Sequence, residues 1–77
     1  MPRVKYVGWI SDLVRAREEV VRAESVGQLI EHVLSKAKRQ VPLERLIVLV
    51  NGAPARDLLA RLGDDDVVVI MGETGGG

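Results

Sequence analysis

Residues 59–77 read LARLGDDDVVVIMGETGGG. Inside this stretch VVVIM, at 67–71, is an unbroken apolar run of mostly β-branched residues. β-Branching favours extended chain, and a strand apolar on both faces belongs in the middle of a sheet. GDDD ahead of it is a polar turn, and the glycine-rich GETGGG follows it to the last residue. A second run of the same kind, LIVLV at 46–50, is closed by Asn51-Gly52, a strong hairpin-turn signal. Two interior strands therefore lie in the second half of the chain.

Working outward, SVGQLIEHVLSKAKRQ at 25–40 changes the period. Val26, Leu29, Ile30, Val33, Leu34 and Ala37 form one continuous helical stripe. Ser25 and Gln28 have capping-box spacing, in which the serine oxygen takes the Gln28 N–H and the glutamine side chain reaches back. Lys36, Lys38 and Arg39 fall in the last turn, where the helix dipole favours cations, and Gln40 and Pro42 end the helix. Before it, RVKYVGWI at 3–10 reads as a strand with Val4 and Tyr6 alternating with Arg3 and Lys5. SDLVRARE is a polar connection offering Leu13 and Val14 to the core, and EEVVRAE is a second short strand. Between the last two strands, Leu58, Leu59 and Leu62 are available to the core.

The order is strand, strand, helix, strand, irregular segment, strand. It predicts an α+β domain with a mixed sheet of four to five strands packed on one main helix. A β-grasp (ubiquitin-like) roll is consistent with that order, although periodicity does not single it out. One helix covers one face of such a sheet. The apolar strands then leave a patch on the other face, and Val67, Val69, Met71, Ile47 and Leu49 are its candidate residues for a partner interface.

The bulk numbers narrow the function. With 77 residues there is one small domain, expected as 1–71 with a flexible glycine-rich tail at 72–77. Hydrophobic residues are 47% and aromatics only 3%, so the core is aliphatic. The net charge of +0 lacks the basic face that nucleic-acid binding needs. The charge is nonetheless divided, about +4 over 1–56 and about −4 over 57–77. Cysteine is absent, which excludes a disulfide framework, a thiolate nucleophile and a cysteine-ligated zinc. No stretch is long and apolar enough for a signal peptide or a membrane span, so a cytoplasmic monomer is expected.

Few side chains suggest chemistry. His32 is the only imidazole and lies off the apolar stripe, near Glu31 and Lys36, without the spacing of a metal or triad partner. Asp64, Asp65 and Asp66 are consecutive and point in different directions, which suits a polar turn better than a calcium loop. No phosphate-binding glycine loop is present, because the tail glycines precede no helix. Trp9 is expected in the core. No catalytic residue, metal or bound cofactor is therefore expected.

The tail remains. Extended from Gly72 to Gly77 it reaches about 20 Å, and its glycines, which lack Cβ atoms, enter slots too narrow for other residues. At its tip is a carboxylate, a poor electrophile until activated. The chain resembles the ubiquitin-like β-grasp sulfur carriers of the MoaD and ThiS kind, the group that includes the archaeal small modifier proteins. YVGWISDL resembles the first strand and turn of the molybdopterin synthase small subunit. EEVVRAESVGQLIEHVL resembles its second strand and helix, and IVLVNGAPA its valine-rich third strand. LARLGDDDVVVIMGETGGG resembles its turn, strand and glycine ending, the most specific piece.

The resemblance implies a function residing in the tail. An E1-like enzyme of the MoeB or ThiF type would use ATP to adenylate Gly77, and a sulfur donor would convert the adenylate to a thiocarboxylate. Gly75 and Gly76 would thread the partner's active site. The sulfur would go to a molybdopterin precursor through a synthase large subunit, to a thiazole or to a tRNA base. Archaeal relatives instead join the terminus to a lysine of a target protein. Such a chain is a protein cosubstrate rather than an enzyme. A separate reading is a non-covalent β-grasp interaction module whose tail is incidental.

Overall fold

The computed structural model describes residues 1–37 and 40–73. Five strands, β1 (Arg3–Val7), β2 (Glu18–Val20), β3 (Leu46–Val50), β4 (Ala53–Pro54) and β5 (Val67–Gly72), form one mixed sheet in the order β2-β1-β5-β3-β4. β5 lies at its centre, parallel to β1 and antiparallel to β3. That placement explains its sequence, since an interior strand has neighbours on both edges and side chains packed on both faces.

Helix α2 (Val26–Lys36) crosses one face of the sheet. It buries Val26, Leu29, Ile30 and Val33 in one cluster with Val4 and Tyr6 of β1, Val48 of β3, and Val68 and Ile70 of β5. Ser25 Oγ accepts the Gln28 N–H at 3.2 Å, as the capping-box spacing predicts. The Gln28 side chain reaches back one residue further than expected, accepting the Glu24 N–H at 2.9 Å. Ala37 is already extended, so the helix ends before Gln40 and Pro42. Lys38 and Arg39 lie outside the described residues.

Two local expectations are corrected. The first strand stops at Val7, because Gly8 adopts φ 80° and turns the chain into a short helix, α1 (Trp9–Val14). Only glycine enters that region at no steric cost. α1 buries Ile10 and Val14 where a strand end and a polar connection were expected. The second correction concerns Leu58 and Leu59, which are 47% and 84% exposed, while Leu62 packs against the core as expected. The backbone of this segment is committed to α2. Leu58 and Ala60 carbonyls accept the Gly27 and Val26 N–H groups, and Leu62 N–H donates to Glu24. The first N–H groups of a helix have no partner within it, so the segment caps α2 with backbone and turns Leu58 and Leu59 outward.

The Asn51-Gly52 turn has φ 51° and 87°, the paired positive values of a tight type I′ hairpin, and it adds the short edge strand β4. Asn51 also ties this turn to the start of β5. Its side chain accepts the Val67 N–H and donates to Asp66, both at 2.9 Å.

Candidate functional site

Strand parity decides what the sheet offers to a partner. Val68 and Ile70 face α2, so Val67, Val69 and Met71 face away from it. Register then carries the same face across the sheet. Met71 stands opposite Ile47 and Val69 opposite Leu49 on β3, while Val7 and Lys5 stand beside them on β1. All five residues expected at a partner interface thus share the face opposite α2. Val20 of β2, Val7 and Ile47 are open large apolar members of this face, at 55%, 45% and 40% exposure. Arg3, paired with Glu18 at 3.3 Å, lies with Lys5 at the β2 side of this apolar strip.

At the end of β5 the chain is held closely. β1 and β5 run parallel, with Val7 beside Met71, so the residue after the Gly8 turn arrives beside Gly72. That residue is Trp9. A Cβ on Gly72 would stand only 2.2 Å from Trp9 Cε2, so glycine is the residue that lets the indole close over the strand. The Trp9 indole N–H donates to the Glu73 carbonyl at 3.0 Å, and the Glu73 N–H donates to the Arg45 carbonyl at 2.7 Å. The Arg45 guanidinium lies 5.8 Å from the indole centroid, within cation–π range. Trp9 is half-buried at the rim and not in the core where it was expected. A cleft beside it is lined by Leu13, Val41, Pro42 and Arg45.

Sequence reasoning missed Gly72, Glu73 and Arg45. A glycine closing an otherwise apolar strand was the available signal, because such a glycine often marks the close approach of another group. Gly75, Gly76 and Gly77 lie outside the described residues.

Glu19 with its partners, and Asp66, serve the fold. Glu19 accepts from the Tyr6 hydroxyl and from Lys36 Nζ at 3.0 and 3.1 Å, with His32 Nε2 at 3.5 Å. Burial pushes the Glu19 carboxyl up, but the Tyr6 and Lys36 donors outweigh it and hold the carboxyl below its ordinary value. Burial first, and then Glu19, raise the Tyr6 hydroxyl well above the usual tyrosine value. Asp66 accepts the Gly63 N–H at 2.7 Å within the expected polar turn. Among the described residues no group of acidic, histidine or cysteine side chains could hold a metal, and no helix is long and apolar enough to cross a membrane.

The sequence matches the ThiS family over residues 4–77, nearly its whole length. The chain belongs to the ThiS family. Its fold is the ubiquitin-like β-grasp. The small archaeal modifier protein 1 of Methanosarcina acetivorans is similar to it with a TM-score of 0.80 and 19% identity, over 99% of this chain and 95% of that one. A chain of the BexX/CysO complex of Amycolatopsis orientalis is similar with a TM-score of 0.73 and 20% identity, each chain covered to 100%. A chain of the complex of subunits 1 and 2 of the molybdopterin-converting factor from Helicobacter pylori gives a TM-score of 0.69 and 18% identity, over 99% of this chain and 97% of that one. No curated protein matches the sequence significantly. This ThiS-family member thus has the architecture of a family of ubiquitin-like sulfur carriers and modifiers.

Proposed function

We propose that this ThiS-family chain is a sulfur carrier activated at Gly77 by an E1-like enzyme of the MoeB or ThiF type. The observation that carries this reading is the family match through residue 77, beyond a central strand that ends at Gly72. A Gly77 carboxylate oxygen would attack the α-phosphorus of ATP, and pyrophosphate would leave. A hydrosulfide equivalent would then attack the acyl carbon and expel AMP, leaving a thiocarboxylate. The activating enzyme uses the ATP. The carrier contributes a terminus, a docking face and no nucleophile or base, and is a cytoplasmic cosubstrate rather than an enzyme.

The face opposite α2, with Ile47, Leu49, Val67, Val69 and Met71, is the docking surface in this proposal. Gly75 and Gly76 supply the slender part that passes into the partner's site. The sulfur acceptor belongs to molybdopterin, thiazole or tRNA thiolation. Attack on the same adenylate by a lysine amine would instead give a protein conjugate, a chemistry supported by the likeness to a small archaeal modifier protein.

The test is incubation with the cognate E1-like enzyme, ATP and sulfide, followed by intact-mass spectrometry. The full chain should gain one oxygen-to-sulfur exchange, and a chain lacking Gly76 and Gly77 should not. Equal products from both chains would overturn the proposal. The exposed apolar face also favours a second reading, a non-covalent interaction module. A partner that binds the shortened chain equally well, with no adenylate formed from the full chain, would favour it.

A further inference from the structure

Glu73 is the last described residue, and both of its backbone polar groups are occupied. Its N–H is bonded to Arg45 and its carbonyl to the Trp9 indole. The indole bond joins residues 64 apart in sequence and lies at the exposed rim of the domain, not in its core. The arrangement needs three features together. Gly8 must turn the chain at φ 80°, Trp9 must follow it, and Gly72 must lack a Cβ where the ring passes. The Arg45 guanidinium near the ring adds a further contact at the same point. Burying a tryptophan for stability alone would not direct its only donor at the backbone that leads into the tail.

We infer that Trp9 is a positioning residue that fixes where and in which direction the tail leaves the domain, with Glu73 as the fulcrum. The inference rests on the reading that a partner enzyme acts on Gly77. Held at Glu73, the four residues to Gly77 reach about 14 Å, against about 17 Å for a tail free from the end of β5 at Gly72 onward. The smaller range concentrates the carboxylate near one site and leaves fewer backbone torsions to fix on binding. Docking through the face opposite α2 does not involve Trp9. Losing the anchor therefore lowers the rate within the docked complex and leaves docking unchanged.

Two variants separate the hydrogen bond from the packing. Trp9→Phe keeps a ring over Gly72 without the N–H. Replacing Trp9 with 3-benzothienylalanine, in which sulfur stands in place of the N–H, keeps the full ring size. Each is checked for folding by circular dichroism. Each is then compared with the wild-type chain by the Glu73 carbonyl carbon-13 chemical shift in the isolated protein and by pyrophosphate release with the E1-like enzyme and ATP. In both variants the Glu73 carbonyl resonance should move upfield as its indole donor is lost. The kcat for adenylation should fall about fivefold, the size that one net hydrogen bond carries, with KM for the carrier unchanged. An unchanged Glu73 carbonyl resonance overturns the anchor. A moved resonance with unchanged kcat overturns the positioning role. A wild-type chain that is never adenylated overturns the reading of the tail and the positioning role with it, while the carbonyl resonance still reports on the anchor by itself.

Discussion

The Trp9 indole fills the space where a side chain on Gly72 would stand, 2.2 Å from the position of its Cβ. This contact closes the sheet at the end of its central strand, between residues from the two ends of the chain. The same ring then bonds the next backbone carbonyl, that of Glu73. Packing and tail placement are joined in one side chain.

Gly72→Ala should therefore displace the indole. Overpacking of this kind costs about 1–3 kcal/mol, and each kcal/mol lowers Tm by roughly 4–8 °C in a domain of this size. Trp9 is the only tryptophan, so its fluorescence reports the displacement directly. An unchanged emission maximum with an unchanged Tm would show that the contact is not tight.

The two faces of β3 and β5 should respond oppositely to substitution. Ile70 is fully buried under α2, and Ile70→Ala should cost about 2–5 kcal/mol in denaturant unfolding. Ile47 is 40% exposed on the other face, and Ile47→Glu should cost no more than about 1 kcal/mol, the span of strand propensity. That variant should nevertheless weaken binding to the E1-like enzyme by about tenfold or more, as loss of a central apolar contact does. Calorimetric titration that finds the two chains binding equally would remove this face from the interface.

Stability should fall at both extremes of pH, for separate reasons. The Glu19 carboxyl is held below its ordinary value of 4.5 in the folded chain. Its contribution is complete above that pH and is lost as pH falls through the folded value. The Tyr6 hydroxyl is raised above 10.0, so its contribution is complete below pH 10 and is lost as pH rises beyond it toward the folded value. Tm measured against pH should show both limbs. Glu19→Gln should flatten the acid limb and Tyr6→Phe the alkaline one, and limbs unchanged in these variants would assign the effect elsewhere.

Asn51→Ala should destabilise more than Asn51→Gly. Both lose the bonds to Asp66 and Val67, but alanine also resists the φ of 51° at this position. About 1–3 kcal/mol is expected for alanine and a smaller loss for glycine, read from urea midpoints. Equal losses would show that the turn conformation carries no cost for alanine.

Much of the fold was legible in the sequence, because its signals are local. The Val26 to Val33 stripe, the Ser25 cap and the Asn51-Gly52 turn each declare themselves within a few residues. Apolar VVVIM identified an interior strand for the same reason. What escaped depends on register between distant segments. Nothing near Trp9 indicates that parallel pairing brings it to Gly72, sixty-three residues away in sequence. Leu59 looked like core because apolar character alone does not reveal that the 58–62 backbone bonds to the start of α2 and leaves Leu59 exposed. The five candidate interface residues share one face because strand parity and the β3–β5 register agree, which the apolar runs alone did not decide.

Intact-mass spectrometry of the protein isolated from its own cells under non-reducing conditions reads directly whether Gly77 carries sulfur. A fraction heavier by one oxygen-to-sulfur exchange, localised by fragmentation to Gly77, is expected. A terminus found only as the plain carboxylate, with no thiocarboxylate and no adduct on other proteins under any growth condition that requires thiolation, would contradict it.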